Sequence, residues 1–163
     1  VSVSIALRPL LPPDIPALAS LYQASIEELA AEDYSEAQCA AWAARADETA
    51  FSERLAGGLT LVAMINGAMA GFSTLAGKDH LDMLYVHPEF ARRGVAGALL
   101  DAIEKLAAAR GAKKLDVEAS DTAKPFFDKR GFEADHRNTV EIDGEWLGRT
   151  HMHKTLGGLR EER

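Results

Sequence analysis

The feature that most constrains this chain is residues 84–100, LYVHPEFARRGVAGALL. An apolar run breaks at His87-Pro88, crosses a loop containing Gly94 and Gly97, and enters an amphipathic repeat without interruption. That order calls for a strand, a turn and a helix whose first amides open onto the loop. The first N–H groups of a helix have no partners within it and carry the positive end of its dipole. Gly94 and Gly97 let a ligand approach the backbone closely, and Arg92 and Arg93 add charge at the same end. Together these make a cradle for a pyrophosphate. Two other phosphate loops are excluded. Five residues, rather than four, separate Gly71 from Gly77-Lys78, and Asp79 stands where a P-loop needs Ser or Thr. Gly94-Val95-Ala96-Gly97 does not fit the dinucleotide fingerprint either.

The rest of the chain supplies strands and helices around this segment. Residues 3–7 alternate as a first strand, and Pro9, Pro12 and Pro13 punctuate the turn after it. Asp14 is placed to cap a helix with apolar positions at Ile15, Leu18, Leu21, Tyr22, Ile26 and Leu29. Ser35 and Gln38 fit a capping box for a second helix carrying Trp42. Leu59–Ile65, the turn Asn66-Gly67 and residues 68–75 read as a hairpin. His80–Val86 is a further strand. Val95, Leu99, Ala102, Ile103 and Leu106 mark one face of a long helix ending near Gly111. Residues 114–119 are strand-like, and residues 123–129 form a short helix with Pro125 in its first turn. Residues 132–142 and 145–153 make a last hairpin around Asp143-Gly144. The order is strand, two or three helices, three strands, helix, strand, helix, two strands. That predicts an α/β (α+β) mixed sheet with helices packed on it. Residues 1–156 read as one domain and residues 157–163 as a polar tail.

Composition narrows the function. The chain has 163 residues, 47% hydrophobic and 26% charged, which suits one globular domain. A formal net charge of -7 argues against nucleic acid and anionic membranes as partners and favours cationic or neutral small molecules. No apolar run is long enough to span a bilayer. VSVSIALRPL lacks the basic region of a signal peptide, and Cys39 has no second cysteine to pair with, so a cytoplasmic location is expected. Cys39 itself reads as a small buried hydrophobe. His151 and His153 share a strand face, but two ligands do not make a site, and no metal is expected.

Ala91-Arg92-Arg93-Gly94-Val95-Ala96 resembles the central loop of the GNAT N-acetyltransferases, Gln/Arg-x-x-Gly-x-Gly/Ala, with Ala91 departing at the first position. VEASDTAKPFFDKRGF resembles the strand and helix that follow it in that family, ending in Gly131-Phe132. The resemblance implies a central splayed, mostly antiparallel sheet and acetyl-CoA as cosubstrate. It implies that the coenzyme lies where the parallel strands His80–Val86 and 114–119 part. Pantetheine would bond along Leu84, Tyr85 and Val86, with the Leu84 region polarising the thioester carbonyl. The pyrophosphate would meet Arg92, Arg93, Gly94, Val95, Ala96 and Gly97. The implied reaction is direct attack by a primary amine, on a small molecule or peptide, within a ternary complex. Asp82 is the first candidate base, on the strand face of Leu84. His80 is the second, two residues earlier on that face, and Glu118 the third. Ser120 stands where relatives often carry Asn. Phe127 stands where many carry the Tyr that protonates the departing thiolate, and would instead wall the pantetheine with Phe126. The family implies a homodimer, and an acceptor pocket walled by the first helices and the last hairpin. The acidic stretch Glu27, Glu28, Glu32 and Asp33 is either a lure for a cationic amine or a solvated helix end. Ala91 and Phe127 favour an alternative function, an acyl-CoA-binding module with weak or no catalytic activity.

Overall fold

The computed structural model describes residues 4–157. Seven strands form one sheet: β1 (Ala6–Pro9), β2 (Leu59–Ile65), β3 (Ala68–Ala76), β4 (His80–Val86), β5 (Lys114–Ser120), β6 (Glu133–Ile142) and β7 (Glu145–Thr155). Their spatial order is β1-β2-β3-β4-β5-β7-β6. Every neighbouring pair is antiparallel except β4 and β5. Five helices cover it: α1 (Ile15–Leu29), α2 (Glu36–Ala43), α3 (Thr49–Gly57), α4 (Val95–Ala109) and α5 (Lys124–Lys129).

The helices divide between the two faces. Leu18, Tyr22 and Ile26 of α1 and Phe51 and Leu55 of α3 bury against Val62, Phe72 and Met83. On the opposite face Leu100, Ile103 and Ala107 of α4 bury against Leu75, Leu81, Leu115 and Val117. Gly71 on β3 lets α4 sit close: a Cβ there would meet the Tyr85 carbonyl oxygen at 2.8 Å and a Val95 methyl at 2.9 Å. Most strands follow their hydrophobic alternation, and Asn66 and Gly67 both take the positive φ that a tight hairpin needs (50° and 81°). Ser35 accepts from the Gln38 amide while the Gln38 side chain accepts from the Ser35 amide, closing the expected capping box. Helix α3 carries only two buried apolar side chains, Phe51 and Leu55, too few to announce it as a separate repeat.

The start of the chain departs from expectation. β1 spans Ala6–Pro9 rather than residues 3–7, because pairing with β2 runs from Ala6↔Met64 to Pro9↔Leu61. Val3 lies outside the described residues, as does the tail beyond Gly157. Pro9 ends an edge strand, where its missing N–H costs no ladder bond. Asp14 does not cap α1, which has no side-chain cap. Its carboxylate turns back to accept from the Leu11 amide at 2.8 Å and from both terminal nitrogens of Arg8 at 2.7 and 3.0 Å. It thereby closes the short 3-10 turn Pro12–Asp14. The Arg8 bond holds the Asp14 carboxyl below its ordinary range, outweighing its burial, with help from the Leu11 amide.

A lowered folded-state pKa means stability present above the unfolded pKa and lost as pH falls through the folded one. Asp14→Asn is therefore expected to lower the unfolding free energy at pH 7 by about 1–3 kcal/mol, the range for a lost bond to a charged group. In urea melts across pH, the difference from wild type should shrink to nothing below the Asp14 titration.

Candidate active site

The sheet parts in its middle. β4 and β5 share only two register pairs, His80↔Asp116 and Leu81↔Val117, and then diverge. A bulge in β4 lies at the parting point. Thr74 opposes Met83 and Leu75 opposes Leu81, so Asp82 has no partner on β3. The extra residue shifts the alternation. Asp82, Met83 and Tyr85 face the α1–α3 layer, whereas Leu81 and Leu84 face α4. The expected placement of Asp82 on the face of Leu84 is thus corrected: an unbroken strand would give it, and the bulge removes it. His80 and Asp82 do share a face, with His80 Nε2 3.9 Å from Asp82 Oδ1.

Past the bulge, one edge of β4 is open. The His87 amide bonds to the Ala70 carbonyl at 2.8 Å. Counting back along the ladder, Tyr85 and Met83 direct their backbone groups at β3, while Leu84 and Val86 direct theirs at the split. The loop beyond β4 delivers the chain to α4. His87 shapes the turn, its Nδ1 accepting from the Glu89 amide at 3.1 Å. Arg92 has φ 65° and Gly94 has φ 85°. Gly94 is the N-cap of α4 and brings no side chain to its first amides, those of Val95, Ala96 and Gly97. Those amides have no intrahelical acceptor. The Arg92 and Arg93 side chains are exposed at the same place. The guanidinium of Arg130, from the turn after α5, lies across Gly97. It is paired with Asp101 at 3.2 Å and rests over the Phe126 ring at 5.3 Å.

On the α1–α3 face, the split opens into a cavity of ≈ 160 Å³. Its floor is His80, Asp82 and Tyr85 of β4 with Glu118 and Ser120 of β5; Tyr22, Trp42, Arg45 and Arg54 wall one side, and Leu147, Gly148 and Arg149 of β7 the other. All three expected base candidates therefore meet in one place, but their surroundings differ. Both Asp82 oxygens are held by Arg54, at 3.0 and 3.2 Å. Glu118 accepts from Asn138 at 3.0 Å and bonds His151 at 2.7 Å. Burial pushes the Glu118 carboxyl up, but the bonds from Asn138 and His151 and the charge of Arg149 outweigh it and hold its pKa below the ordinary range. His80 bonds Asp116 through Nδ1. An ionised carboxylate can only accept, so His80 donates to it through Nδ1 and turns Nε2 toward Asp82 across the cavity floor.

Other residues lie apart from this floor. Ser120 Oγ accepts from the Ala123 amide at 3.1 Å, and its residue lines the cavity. Phe127 is only 2% exposed and packs edge-on to Phe126 and Phe132 in the α4–α5 core. Trp42 packs against Tyr34 and Tyr85 and donates to the Tyr85 hydroxyl at 3.3 Å. Tyr34 donates to the Gly148 carbonyl at 2.6 Å and accepts from the Asp121 amide at 2.8 Å, tying the α1–α2 loop to β7 and to the end of β5. Glu27, Glu28, Glu32 and Asp33 are exposed and none lines the cavity; Asp33 instead accepts from Thr122 at 2.8 Å. That acidic stretch is a solvated helix end. His151 and His153 do share a face, bonded to Glu118 and Asp135 respectively, and Cys39 is buried at 6% exposure. Arg45, Arg54, Arg130 and Arg149 were not legible as site residues, because each reaches its place from an element distant in sequence.

A seven-stranded mixed sheet, antiparallel but for one parted parallel pair and flanked by helices, is the architecture of an acyl-CoA N-acyltransferase. Residues 30–156 match the acetyltransferase (GNAT) domain model. The N-acetyltransferase YafP of Escherichia coli K12, itself uncharacterized, is 37% identical over 149 residues, covering 91% of this chain and 95% of YafP. A GCN5-related N-acetyltransferase from Rhodopseudomonas palustris is 55% identical, with a TM-score of 0.93 over 96% of this chain and 98% of that one. The PaiA N-acetyltransferase of Thermoplasma acidophilum, in complex with coenzyme A, shares the fold at TM-score 0.75 and 21% identity, over 93% of this chain and 99% of that one. The chain belongs to the GNAT family and is an N-acetyltransferase.

The two loop glycines should respond differently to substitution. Gly94→Ala forces a Cβ into the left-handed region and is expected to cost about 1–2 kcal/mol. Gly97→Ala meets only the movable end of Arg130. Its helix gain of about 0.8–1.0 kcal/mol offsets the loss of one exposed ion pair worth about 0.2–1 kcal/mol. Urea denaturation should therefore show Gly94→Ala destabilised and Gly97→Ala close to wild type.

Proposed function

We propose that this enzyme transfers an acetyl group from acetyl-CoA to a primary amine by direct attack, with His80 as the general base. The observation that carries this reading is the parted strand pair: it sets an open backbone edge, unpartnered helix amides and a carboxylate-oriented imidazole around one gap. The amides of residues 93–97, with Arg92, Arg93 and Arg130, hold the pyrophosphate. Leu84 and Val86 bond the pantetheine amides along the open edge of β4, as an added strand does. Phe127 supports that wall from the core. The Leu84 amide faces the thioester oxygen and stabilises the charge that develops there. Ser120 lines the opposite side.

The acceptor enters from the cavity. His80 Nε2 takes the proton of the amine nitrogen, directly or through one water, as the new C–N bond forms. The C–S bond breaks with its electron pair staying on sulfur. Asp116 keeps the His80 ring oriented. Asp82 and Glu118 are carboxylates already engaged by donors, so they shape the floor and its field. No tyrosine stands at Phe127, but a thiol of pKa about 8.5 leaves acceptably as thiolate near neutral pH.

Calorimetric titration with acetyl-CoA tests the coenzyme half: wild type binds, and Gly94→Glu, which adds bulk and negative charge at the pyrophosphate, loses binding. Absence of wild-type binding sinks the reading. Coenzyme-release kinetics test the base. His80→Gln is expected to lower kcat by about 10²–10⁴-fold while acetyl-CoA affinity stays near wild type. Retention of kcat would return the role to Asp82.

A further inference from the structure

Three guanidinium groups face the acceptor cavity, and they are not equally matched. Arg54 is forked onto Asp82. Arg149 bonds Asn138 at 2.6 Å and lies 3.5 Å from Glu118. Arg45, in the 3-10 segment after α2, has no carboxylate within 4.0 Å among the described residues. The nearby Asp47 is exposed and bonds Gln23 instead. Arg45 is also not a solvated surface arginine. It is half-buried, lines the cavity beside Tyr22, Trp42 and Tyr85, and its charge reaches the buried phenols of Tyr22 and Tyr85.

This is a local excess of positive charge inside a protein of net charge -7. A partly desolvated cation without a counter-ion is costly, and an anionic ligand offsets that cost. The planar fork of a guanidinium suits a carboxylate, which it can meet with two parallel bonds. The aromatic walls leave the rest of the ligand an apolar surface. A cationic polyamine, by contrast, would be repelled by Arg45 and would find both carboxylates of the lining already engaged by donors.

We propose that the amine acceptor also carries a carboxylate, as an amino acid or a short peptide does, and that Arg45 is the residue that binds it. This rests on the acetyltransferase reading above. The acetylated nitrogen and the recognised carboxylate then belong to one molecule, bound with its amine toward His80 and its anion toward Arg45.

The test is a coenzyme-release panel of L-amino acids and dipeptides, each as the free acid and as its C-terminal amide, with spermidine as the cationic comparison. At least one acid is expected to exceed its own amide by roughly 10–100-fold in kcat/KM, the range for a charge-assisted bond. The free amino acids and the dipeptides separate the two sources of the carboxylate. In Arg45→Gln the acid-to-amide ratio should collapse toward one, and Arg45→Lys should restore part of it. A variant that merely folds poorly lowers both rates and leaves the ratio, so an unchanged ratio overturns the inference. So does preference for amides or spermidine, or turnover of no acid in the panel while acetyl-CoA still binds. Failure of the wild type to bind acetyl-CoA would overturn the coenzyme reading, and this inference with it.

Discussion

One parallel pairing that stops after two residues governs the central cleft. β4 is bonded along its length to β3, and β5 is bonded along its length to β7, so the sheet is continuous everywhere except between them. The bulge at Asp82 bends β4 at that point. Neither feature would suffice alone. Full pairing would fill the open edge of β4 with β5. An unbulged β4 could not turn both Asp82 and the next residue, Met83, to the α1–α3 face. The split can persist because both cores flanking it are complete without it: Tyr22, Phe72 and Met83 pack on one face, and Leu81, Leu115 and Ile103 on the other.

Around the split, charge is arranged in pairs. Arg54 occupies both oxygens of Asp82, and Asn138, His151 and Arg149 occupy Glu118. His80 is different in kind, since its partner Asp116 fixes one nitrogen and leaves the other toward the cavity. The polar floor is therefore a set of fixed dipoles and ion pairs, with the His80 ring anchored on one side. Such preorganised groups need little rearrangement as charge develops.

Much of this architecture was legible in the sequence because its signals are local. The hairpin at Asn66-Gly67, the capping box at Ser35 and Gln38, and the run from His80 through the glycine loop into α4 each declare themselves within a few residues. The bulge did not, because Leu81, Met83 and Leu84 are all apolar and either alternation could be written over them. Asp14 looked like a cap for α1 because its competitor, Arg8, lies across a turn containing three prolines. The arginines of the site were hidden for a further reason. Arg45, Arg54 and Arg149 sit 37, 28 and 31 positions from their cavity neighbours Asp82, Asp82 and Glu118, so no window of sequence shows them together.

The placement of Tyr22, Trp42, Arg45 and Arg54 has a consequence for how such an enzyme diversifies. All four belong to the helices preceding β2, whereas the open edge of β4 and the glycine loop come from residues 84–97. One wall of the cavity is thus encoded in a stretch of chain separate from the machinery of the split. Mutations in the first stretch can remodel what the chamber admits while the backbone of the open edge and the glycine loop stay as they are. A lineage built this way can exchange one substrate for another while its chemistry stays in place.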